Sequence, residues 1–256
     1  MSARSVLLFG DPVSRSLSPA MQNAAFAACG IDCEYVLREL HRDALAPAVE
    51  ELSRDVQLLG ANVTIPHKEA IVPLLDELDP LAAQIGAVNT VSRHGTRLKG
   101  WNTDVEGFRR ALDECGYVVE GKAVAILGAG GAARAVSAAI DSRVDRLWVI
   151  ARNPEQAARL CRDLGLERAE PAAMGQTGEP TADADLVVNA TPADLPETWR
   201  IKSDQRMFDL RSRSSAEGRS MLLHQGAASF EIWTGRKAPL ETMRAALERA
   251  AQAVLA

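Results

Sequence analysis

The segment Ala123–Arg134 constrains the fold more than any other part of the sequence, because it has the pattern of a strand, a tight turn and a helix. Gly128, Gly130 and Ala133 match the G-x-G-x-x-G/A spacing of a dinucleotide site. Gly128 would permit the sharp turn, Gly130 would let a pyrophosphate approach the backbone, and Ala133 would let the helix pack closely. Since the helix N-terminus offers free N–H groups to phosphates, the segment predicts a dinucleotide-binding unit, with an ordinary strand–helix turn as the alternative.

The composition is typical of a soluble globular protein. The 256 residues suffice for two modest domains or one large one. The net charge of −5 includes no long run of one sign, which argues against a nucleic-acid surface. No run of about eighteen apolar residues predicts a membrane span, and Met1–Ser5 leads into a strand-like segment rather than a signal peptide. The cysteines form no C-x-x-C pair and are predicted to be reduced thiols of a cytoplasmic protein without a metal site: Cys29, Cys33, Cys115 and Cys161.

The chain before the glycine turn alternates strand and helix patterns, which predicts an α/β domain. Ser18 is predicted to cap the first helix with Pro19 at its first position, and Asp43 to cap the second. The predicted strands are Val6–Phe9, Cys33–Leu40, Leu58–Thr64 and Ile85–Ser92, the last forming a hairpin with Arg97–Trp101. The predicted helices are Pro19–Cys29, Ala44–Leu52 and one that begins at Pro66.

Polar residues stand at two positions in this half where packing does not require them. Ser16 lies two residues before Ser18 at the exit of a strand, where a pair of hydroxyls suits a polyol or a carboxylate. Asn89 and Thr90 form a polar pair inside an apolar run, an unusual choice if packing alone mattered.

Lys68 is a candidate for acid/base chemistry and Asp104 a candidate for ligand binding, each with a structural alternative. Lys68 is predicted in a first helical turn, where it is either a solvated surface lysine or a lysine held in a cleft as acid or base. Asp104 either caps the helix that follows it or places a carboxylate at a strand end, where α/β proteins bind ligands.

The chain after the glycine turn continues the pattern of a nucleotide-binding unit. Arg146–Ile150 is its predicted second strand, and Ala151-Arg152-Asn153 follows where a site that prefers NAD has a carboxylate. Arg152 is therefore a candidate partner for the 2′-phosphate of NADP, with a solvated loop cation as the alternative. Asn153 is predicted to cap a helix. The remaining predictions are helix Pro154–Leu164, strands Leu186–Ala190 and Gln205–Leu210, and helices over Met221–Trp233 and Pro239–Leu255.

Further motifs follow one another over most of the chain. They are Phe9-Gly-Asp-Pro12 with Ser16-Leu-Ser-Pro19, Gly60-Ala-Asn-Val-Thr-Ile-Pro-His-Lys68, Gly86-Ala-Val-Asn-Thr90, Gly100-Trp-Asn-Thr-Asp104, Gly128-Ala-Gly-Gly-Ala-Ala-Arg134 and Asn189-Ala-Thr-Pro192. In this order the motifs resemble those of the shikimate dehydrogenase family, the shikimate and quinate/shikimate NAD(P)-dependent oxidoreductases. Each motif is modest evidence by itself, and together they are very specific.

The resemblance implies an N-terminal α/β substrate domain, a Rossmann-like dinucleotide-binding domain, and C-terminal helices that return to the first domain. Residues 1–104 and 220–256 would form the substrate-binding and catalytic domain, and residues 105–219 the NAD(P)-binding domain. The implied reaction is the NADP-dependent interconversion of shikimate and 3-dehydroshikimate by hydride transfer, in aromatic amino acid biosynthesis. The implied protein is a cytoplasmic monomer or homodimer whose partner is a small-molecule substrate.

The resemblance also implies roles for individual residues. Lys68 and Asp104 would be the catalytic pair that accepts the proton of the reacting hydroxyl. The substrate would be bound through its carboxylate by Ser16 and Ser18, and through its carboxylate or hydroxyls by Thr64, Asn89 and Gln225. The cofactor, NADP or alternatively NAD, would be bound by Gly128, Ala129, Gly130, Gly131, Ala132, Arg152, Asn189 and Thr191.

The sequence departs from the family pattern after Asp209. Ser212 stands where the family's Asp-x-x-Tyr has a tyrosine that contributes to carboxylate binding. The connection that follows is also short, because only Arg213–Glu217 separates Ser212 from the segment beginning at Gly218. Arg211 or Arg213 is a candidate compensating cation. The departure keeps two alternatives open: a family member acting on quinate, an aminated shikimate analogue or another hydroxy acid, and a non-catalytic dinucleotide-binding regulatory protein.

Overall fold

The computed structural model describes residues 4–175, 180–193, 202 and 204–255. The chain forms two compact units, one of Met1–Gly107 together with Leu222–Ala256 and the other of Phe108–Met221. Helices α4 (Asp104–Glu114) and α7 (Ala216–Thr234) each contain a point at which the chain passes from one unit to the other. Both units are α/β, as predicted. No helix among the described residues is both long and apolar enough to cross a membrane.

A six-stranded mixed sheet forms the centre of the first unit. Its strands are β1 (Arg4–Gly10), β2 (Cys33–Glu39), β3 (Leu58–Val63), β4 (Glu77–Leu78), β5 (Thr90–His94) and β6 (Arg97–Trp101), in the spatial order β2-β1-β3-β5-β6-β4. β1 is parallel to both of its neighbours, whereas β5 is antiparallel to β3 and forms the predicted hairpin with β6. The helices of this unit are α1 (Ser18–Ala28), α2 (Leu45–Arg54), α3 (Pro80–Ile85), α8 (Leu240–Leu255) and the C-terminal part of α7.

The alternation of side chains along β1 explains why this sheet is covered on both faces. Val6 and Leu8 belong to one buried apolar cluster, which includes residues of α1, α7 and α8. Leu7 and Phe9 belong to a second cluster, which includes residues of α2. Since successive side chains of a strand point to opposite faces, one short apolar run contributes to both cores.

A five-stranded parallel sheet forms the centre of the second unit. Its strands are β7 (Ala123–Leu127), β8 (Arg146–Ala151), β9 (Ala169–Ala173), β10 (Leu186–Asn189) and β11 (Arg206–Asp209), in the order β11-β10-β7-β8-β9. Helix α5 (Gly131–Ile140) follows β7, and α6 (Pro154–Leu164) follows β8. Asn153 Oδ1 accepts from Glu155 N at 3.1 Å, which confirms the predicted cap of α6. Since the chain runs outward from β7 in one direction and later returns to its other side, the carboxyl end of β7 is a topological switch point.

The segment after β3 is not the predicted helix. Residues 65–71 form successive turns, followed by a short 3₁₀ helix at Val72–Leu74. The Lys68 carbonyl accepts from Val88 N at 2.8 Å instead of from a residue one helical turn later. A contact with a distant part of the chain therefore replaces the helical bond, and Lys68 lies in a turn rather than in the first turn of a helix.

The predicted start of the strand Ile85–Ser92 is also wrong. Ile85 ends helix α3 rather than beginning a strand, because Asp79 Oδ1 caps that helix at Leu81 N and Gly86 closes it with a φ of +68°. The strand β5 begins only at Thr90.

The predicted caps of the first two helices are likewise wrong. Ser18 is the first residue of α1, and its N–H donates to Ser16 Oγ at 3.2 Å. Asp43 lies in a 3₁₀ turn, and the residue at the N-cap of α2 is Ala44, whose side chain offers no acceptor. Ser16 therefore supplies the oxygen that a capping serine was expected to supply from position 18.

Candidate active site

Lys68 and Asp104 form a close ion pair in the first unit. Lys68 Nζ lies 2.6 Å from Asp104 Oδ2, and the two side chains are 14% and 6% exposed. Lys68 comes from the turns after β3, and Asp104 from the start of α4. Within the described residues this is the only hydrogen bond of the Lys68 ammonium, so two of its N–H groups remain for a ligand.

Asp104 does not use its side chain as a helix cap, which excludes the structural alternative for this residue. It is the first residue of α4, and its N–H donates to Asn102 Oδ1 at 3.1 Å. The Asp104 carboxylate instead accepts from Lys68 through Oδ2 and from Asn89 Nδ2 through Oδ1, the latter at 2.8 Å. The carboxylate is held from both oxygens in a nearly solvent-free position.

Asn89 connects the ion pair to the rest of the site. Besides Asp104, its Nδ2 lies 2.9 Å from Thr103 Oγ1 and 3.2 Å from Gln225 Oε1. Its Oδ1 accepts from Thr103 N at 2.8 Å and from Thr90 Oγ1 at 3.0 Å. Because the backbone N–H of Thr103 can only donate, the orientation of the Asn89 amide is determined by its surroundings.

Gln225 reaches this group from the C-terminal part of the chain. Its Nε2 donates to Leu222 O at 3.0 Å, so its Oε1 faces Asn89. Helix α7 can approach α1 at this level because residue 226 is glycine: a Cβ there would lie 2.3 Å from Met21 Cε. The structure thus brings together four predicted site residues from distant segments: Lys68, Asn89, Asp104 and Gln225.

A second layer of buried polar side chains lies behind Asn89 and was not predicted as part of the site. Asn62 Nδ2 donates to Asn89 O at 2.9 Å and contacts Thr90 Oγ1 and Ser229 Oγ, and Asn62 Oδ1 accepts from Tyr35 OH at 2.8 Å. Of this layer, only Thr90 stood out in the sequence. Asn62 and Ser229 carried the same signal, a polar residue within an apolar run, but that signal does not indicate which polar residues meet.

Ser18 adjoins this second layer through Tyr35. Complete burial raises the pKa of Tyr35 far above the usual range, and a hydrogen bond with Ser18 acts in the opposite direction. Ser16 and Thr64 are half-buried, and no hydrogen bond within the described residues links either side chain to Lys68 or Asp104.

The glycine turn of the second unit has the geometry that its sequence predicts. Gly128 has a φ of +112°, and a Cβ there would lie 3.2 Å from Ala190 O and 3.3 Å from Thr191 Cγ2. Gly130 has a φ of −90°, and a Cβ there would meet nothing within 4 Å. Helix α5 begins at Gly131, so its first N–H groups have no partner within the helix and face the same turn. Ala129, Gly131 and Ala132, which complete the predicted set in this turn, are half-buried.

Asn189 orders the loop beside this turn. It ends β10 and is fully buried. Its Oδ1 accepts from Thr191 N at 3.1 Å and from Thr191 Oγ1 at 2.8 Å. Its Nδ2 lies 3.3 Å from both Ala193 O and Asp209 Oδ1. Asn189 therefore fixes the position of Thr191, whose methyl group lies against the Gly128 turn.

Arg152 lies exposed at the carboxyl end of β8, beside the same switch point. The nearest acidic residue in the chain, Glu155, pairs with Arg162 at 2.9 Å.

The short connection after β11 is tightly organised. Arg211 forms a bidentate pair with Asp209, with Nε–Oδ1 at 3.0 Å and the shortest N–O distance 2.6 Å. Ser215 Oγ donates to Asp209 O and accepts from Gly218 N, and a Cβ on Gly218 would lie 2.8 Å from Asp209 O. Since Asp209 engages Arg211, the other candidate cation is Arg213, whose Nε is buried without a hydrogen-bond partner among the described residues.

Comparisons with protein families cover nearly the whole chain. Residues 8–91 match the shikimate dehydrogenase substrate binding domain, residues 110–213 match shikimate / quinate 5-dehydrogenase, and residues 218–248 match the shikimate 5′-dehydrogenase C-terminal domain. Shikimate dehydrogenase (NADP(+)) of Moorella thermoacetica is 42% identical, in an alignment that covers 96% of this chain and 92% of that protein. The enzyme of the same name from Methanopyrus kandleri is 41% identical, with coverages of 94% and 93%.

Solved structures give the same result. Shikimate 5-dehydrogenase from Thermus thermophilus, in complex with NADP(H) and shikimate, has a TM-score of 0.82 at 34% identity and covers 96% of this chain and 99% of its own. Quinate dehydrogenase from Corynebacterium glutamicum, in complex with NAD, has a TM-score of 0.83 at 27% identity, with coverages of 96% and 99%. Sequence and structure together therefore make this chain a member of the shikimate dehydrogenase family of NAD(P)-dependent oxidoreductases.

Proposed function

We propose that this protein interconverts shikimate and 3-dehydroshikimate with NADP as cofactor, in the synthesis of aromatic amino acids. The observation that carries the proposal is the buried Lys68–Asp104 pair, held at 2.6 Å and surrounded by amide and hydroxyl groups. A protein that only bound a dinucleotide would not need such a pair. The relatives named as NADP(+)-dependent shikimate dehydrogenases support the same reaction.

The pair is suited to move the proton of a secondary alcohol. Oxidation of the carbinol removes the hydroxyl proton, and the Asp104 carboxylate can take it directly. Alternatively, Lys68 passes one proton to Asp104 across their hydrogen bond and receives the substrate proton as a neutral amine. A positioned acid/base group contributes about 10²–10⁴ in rate. Because the Lys68 and Asp104 side chains are largely shielded from water, their electrostatic interactions with the substrate are stronger than they would be in solvent.

Residues of the first unit would bind the substrate. Ser16 and Ser18 at the start of α1 would hold its carboxylate, and Thr64, Asn89 and Gln225 its remaining polar groups. Gln225 and Asn89 meet within the site, so a ligand hydroxyl there would join an existing network. We assign residues 1–104 and 220–256 to the substrate domain on this basis.

Residues 105–219 would bind NADP. The left-handed backbone of Gly128 and the open space at Gly130 fit a pyrophosphate that approaches the N-terminus of α5. The cofactor would be held by Gly128, Ala129, Gly130, Gly131, Ala132, Asn189 and Thr191, with Arg152 on the 2′-phosphate. When bound, the nicotinamide supplies the hydride chemistry. NAD is the alternative cofactor, because Arg152 is the only residue in this set that would contact the 2′-phosphate, the group that NADP has and NAD lacks.

The first test is NADPH formation by the purified protein given shikimate and NADP⁺. We expect rapid turnover, followed as absorbance of the reduced nicotinamide. Absence of turnover with NADP⁺ binding intact would contradict the proposed substrate, and absence of turnover with every substrate would favour a regulatory dinucleotide-binding protein.

A second candidate substrate is quinate or another hydroxy acid. The observation that favours it is the connection after β11, where Ser212 replaces the family's tyrosine and Arg211 is paired with Asp209. A parallel assay with quinate decides between the two. Arg213→Ala should weaken binding of the preferred acid if Arg213 supplies the missing carboxylate contact, with Arg219→Ala as the control.

We further propose a cytoplasmic protein that acts as a monomer or homodimer. Its cysteines are free thiols, and burial raises the pKa of Cys33 to about 11, which keeps that thiol protonated. Sedimentation of the purified protein determines the oligomeric state.

A further inference from the structure

Ser229 lies at the centre of the polar layer behind the site. It is fully buried on α7, one helical turn after Gln225. Its Oγ lies 2.8 Å from Thr90 Oγ1, 3.2 Å from Thr103 Oγ1 and 3.2 Å from Asn62 Nδ2, and it donates to Gln225 O at 2.9 Å. One small hydroxyl thus touches groups from β3, β5, the start of α4 and α7.

The direction of these hydrogen bonds limits what Ser229 can do. A serine hydroxyl has one hydrogen and two lone pairs. When the hydrogen goes to the Gln225 carbonyl, Ser229 is an acceptor for Asn62 and for one of the two threonine hydroxyls. A backbone carbonyl accepts only, so the bond to Gln225 O has a single direction.

Ser229 reaches the Gln225 side chain through Thr103 and Asn89. Its bond to the main-chain carbonyl of residue 225 lies within the helix and does not involve that side chain. Thr103 Oγ1 accepts from Asn89 Nδ2 at 2.9 Å, and the same Nδ2 lies 3.2 Å from Gln225 Oε1. Asp104 shares the Asn89 amide with Gln225, but its Oδ2 is held by Lys68 at 2.6 Å, and this charged contact does not involve the Ser229 network.

We propose that Ser229 is a positioning residue for substrate binding, acting through Gln225 and Thr103 without touching the substrate. The inference rests on the proposed function, since it assigns Gln225 to the substrate. It separates two roles within one network: Lys68 and Asp104 govern the chemical step, and Ser229 governs the position of the Gln225 side chain relative to the substrate.

The test is Ser229→Ala in the intact protein, assayed with shikimate and NADP⁺. Loss of one hydrogen bond predicts a rise in the KM for shikimate of about three- to tenfold. We expect kcat and the KM for NADP⁺ to change by less than about twofold, because the Lys68–Asp104 ion pair and the glycine turn keep their contacts. Ser229→Cys, which keeps a weak donor of similar size, should lie between alanine and the wild type.

Ser220→Ala is the matched control. Ser220 is a buried serine on the same helix whose hydroxyl donates to the Glu114 carboxylate, away from the polar network. Both alanine variants should lower the thermal midpoint, but only Ser229→Ala should raise the KM for shikimate.

A double-mutant cycle decides whether Ser229 acts through Gln225. In a Gln225→Ala background, Ser229→Ala should have no further effect on the KM for shikimate. An unchanged KM in the single variant, or a full additional effect in the double variant, would overturn the inference. A wild-type protein without shikimate turnover would instead overturn the proposed function, so the two failures are distinct.

Discussion

The two candidate sites are built in opposite ways. The Lys68–Asp104 site consists of side chains from four separated segments, nearly all buried and hydrogen-bonded to one another. The glycine turn consists of backbone from one contiguous segment, and its important feature is the absence of side chains at residues 128 and 130. The side-chain site depends on tertiary packing for its geometry, whereas the backbone site depends mainly on local conformation. Substitutions should therefore act differently in the two places.

The largest effect is expected at the ion pair. Lys68→Ala removes a positioned acid/base group and should lower kcat by about 10²–10⁴, with NADP⁺ binding unchanged. Lys99→Ala is the control, since Lys99 forms an exposed pair with Glu77 at 2.5 Å. Steady-state kinetics and cofactor titration measure the two quantities. Unchanged kcat in Lys68→Ala would remove Lys68 from the mechanism and abolish the contrast between the sites.

The glycine turn provides a matched pair of substitutions. Gly128→Ala should lower the free energy of unfolding by about 1–3 kcal/mol, because residue 128 has a φ of +112°. Gly130→Ala should leave stability unchanged, because its backbone is accessible to alanine and nothing lies within 4 Å of the added methyl.

Cofactor binding separates these two variants further. The methyl group of Gly130→Ala would occupy the space of the pyrophosphate and should weaken NADP⁺ binding by about tenfold, the equivalent of one good hydrogen bond to a charged group. Urea unfolding and NADP⁺ titration provide the measurements. Equal NADP⁺ affinity in Gly130→Ala and the wild type would mean that the pyrophosphate lies elsewhere.

A smaller and more selective effect is expected at Arg152. Arg152→Ala should raise the KM for NADP⁺ by about tenfold and change the KM for NAD⁺ little, because only NADP carries the 2′-phosphate. Arg159→Ala is the control, because Arg159 is a nearby arginine in the sequence that lies within helix α6. An equal change with both cofactors would identify Arg152 as a general electrostatic contact rather than the residue that selects NADP.

The smallest effect is expected at an ion pair of the same length outside the site. Arg38 and Glu51 lie 2.6 Å apart, but their side chains are 32% and 49% exposed. The hydrogen bond from Arg38 lowers the pKa of Glu51 below its ordinary value. Glu51→Gln should therefore cost only about 0.2–1 kcal/mol of stability at neutral pH, as exposed pairs do.

The pH dependence of this stabilisation follows from the sign of the shift. Because the folded-state pKa of Glu51 is lowered, the stabilisation is complete above the pKa of the unfolded chain and is lost as the pH falls through the lowered value. Urea unfolding of both proteins from neutral to acid pH checks this. A difference between them that persists in acid would show that the substitution acts through packing.

Predictions from the sequence succeeded where a local pattern determines the local structure. The β7–Gly128–α5 segment, the β5–β6 hairpin and the Asn153 cap were all predicted, because turn chemistry and hydrophobic period are encoded within a few residues. They failed where a distant group competes for the same backbone atom. The Lys68 carbonyl accepts from Val88 N, so the predicted helix over this segment does not form.

The candidate site shows the same division. The family resemblance implied Lys68, Asn89, Asp104 and Gln225 one by one, but Asn62 and Ser229 became visible only as partners of Asn89 and Gln225.

The sequence by itself determined the two α/β units, the glycine turn and the family. These follow from periodicity, turn residues and ordered motifs, all of which are properties of nearby residues. Only the tertiary structure decided that Lys68 Nζ lies 2.6 Å from Asp104 Oδ2, that Gln225 meets Asn89, and that Ser229 contacts Thr103 beside them. The physical reason is that hydrogen bonds between side chains depend on positions in space: Asn89 and Gln225, for example, meet although they lie 136 positions apart in the sequence.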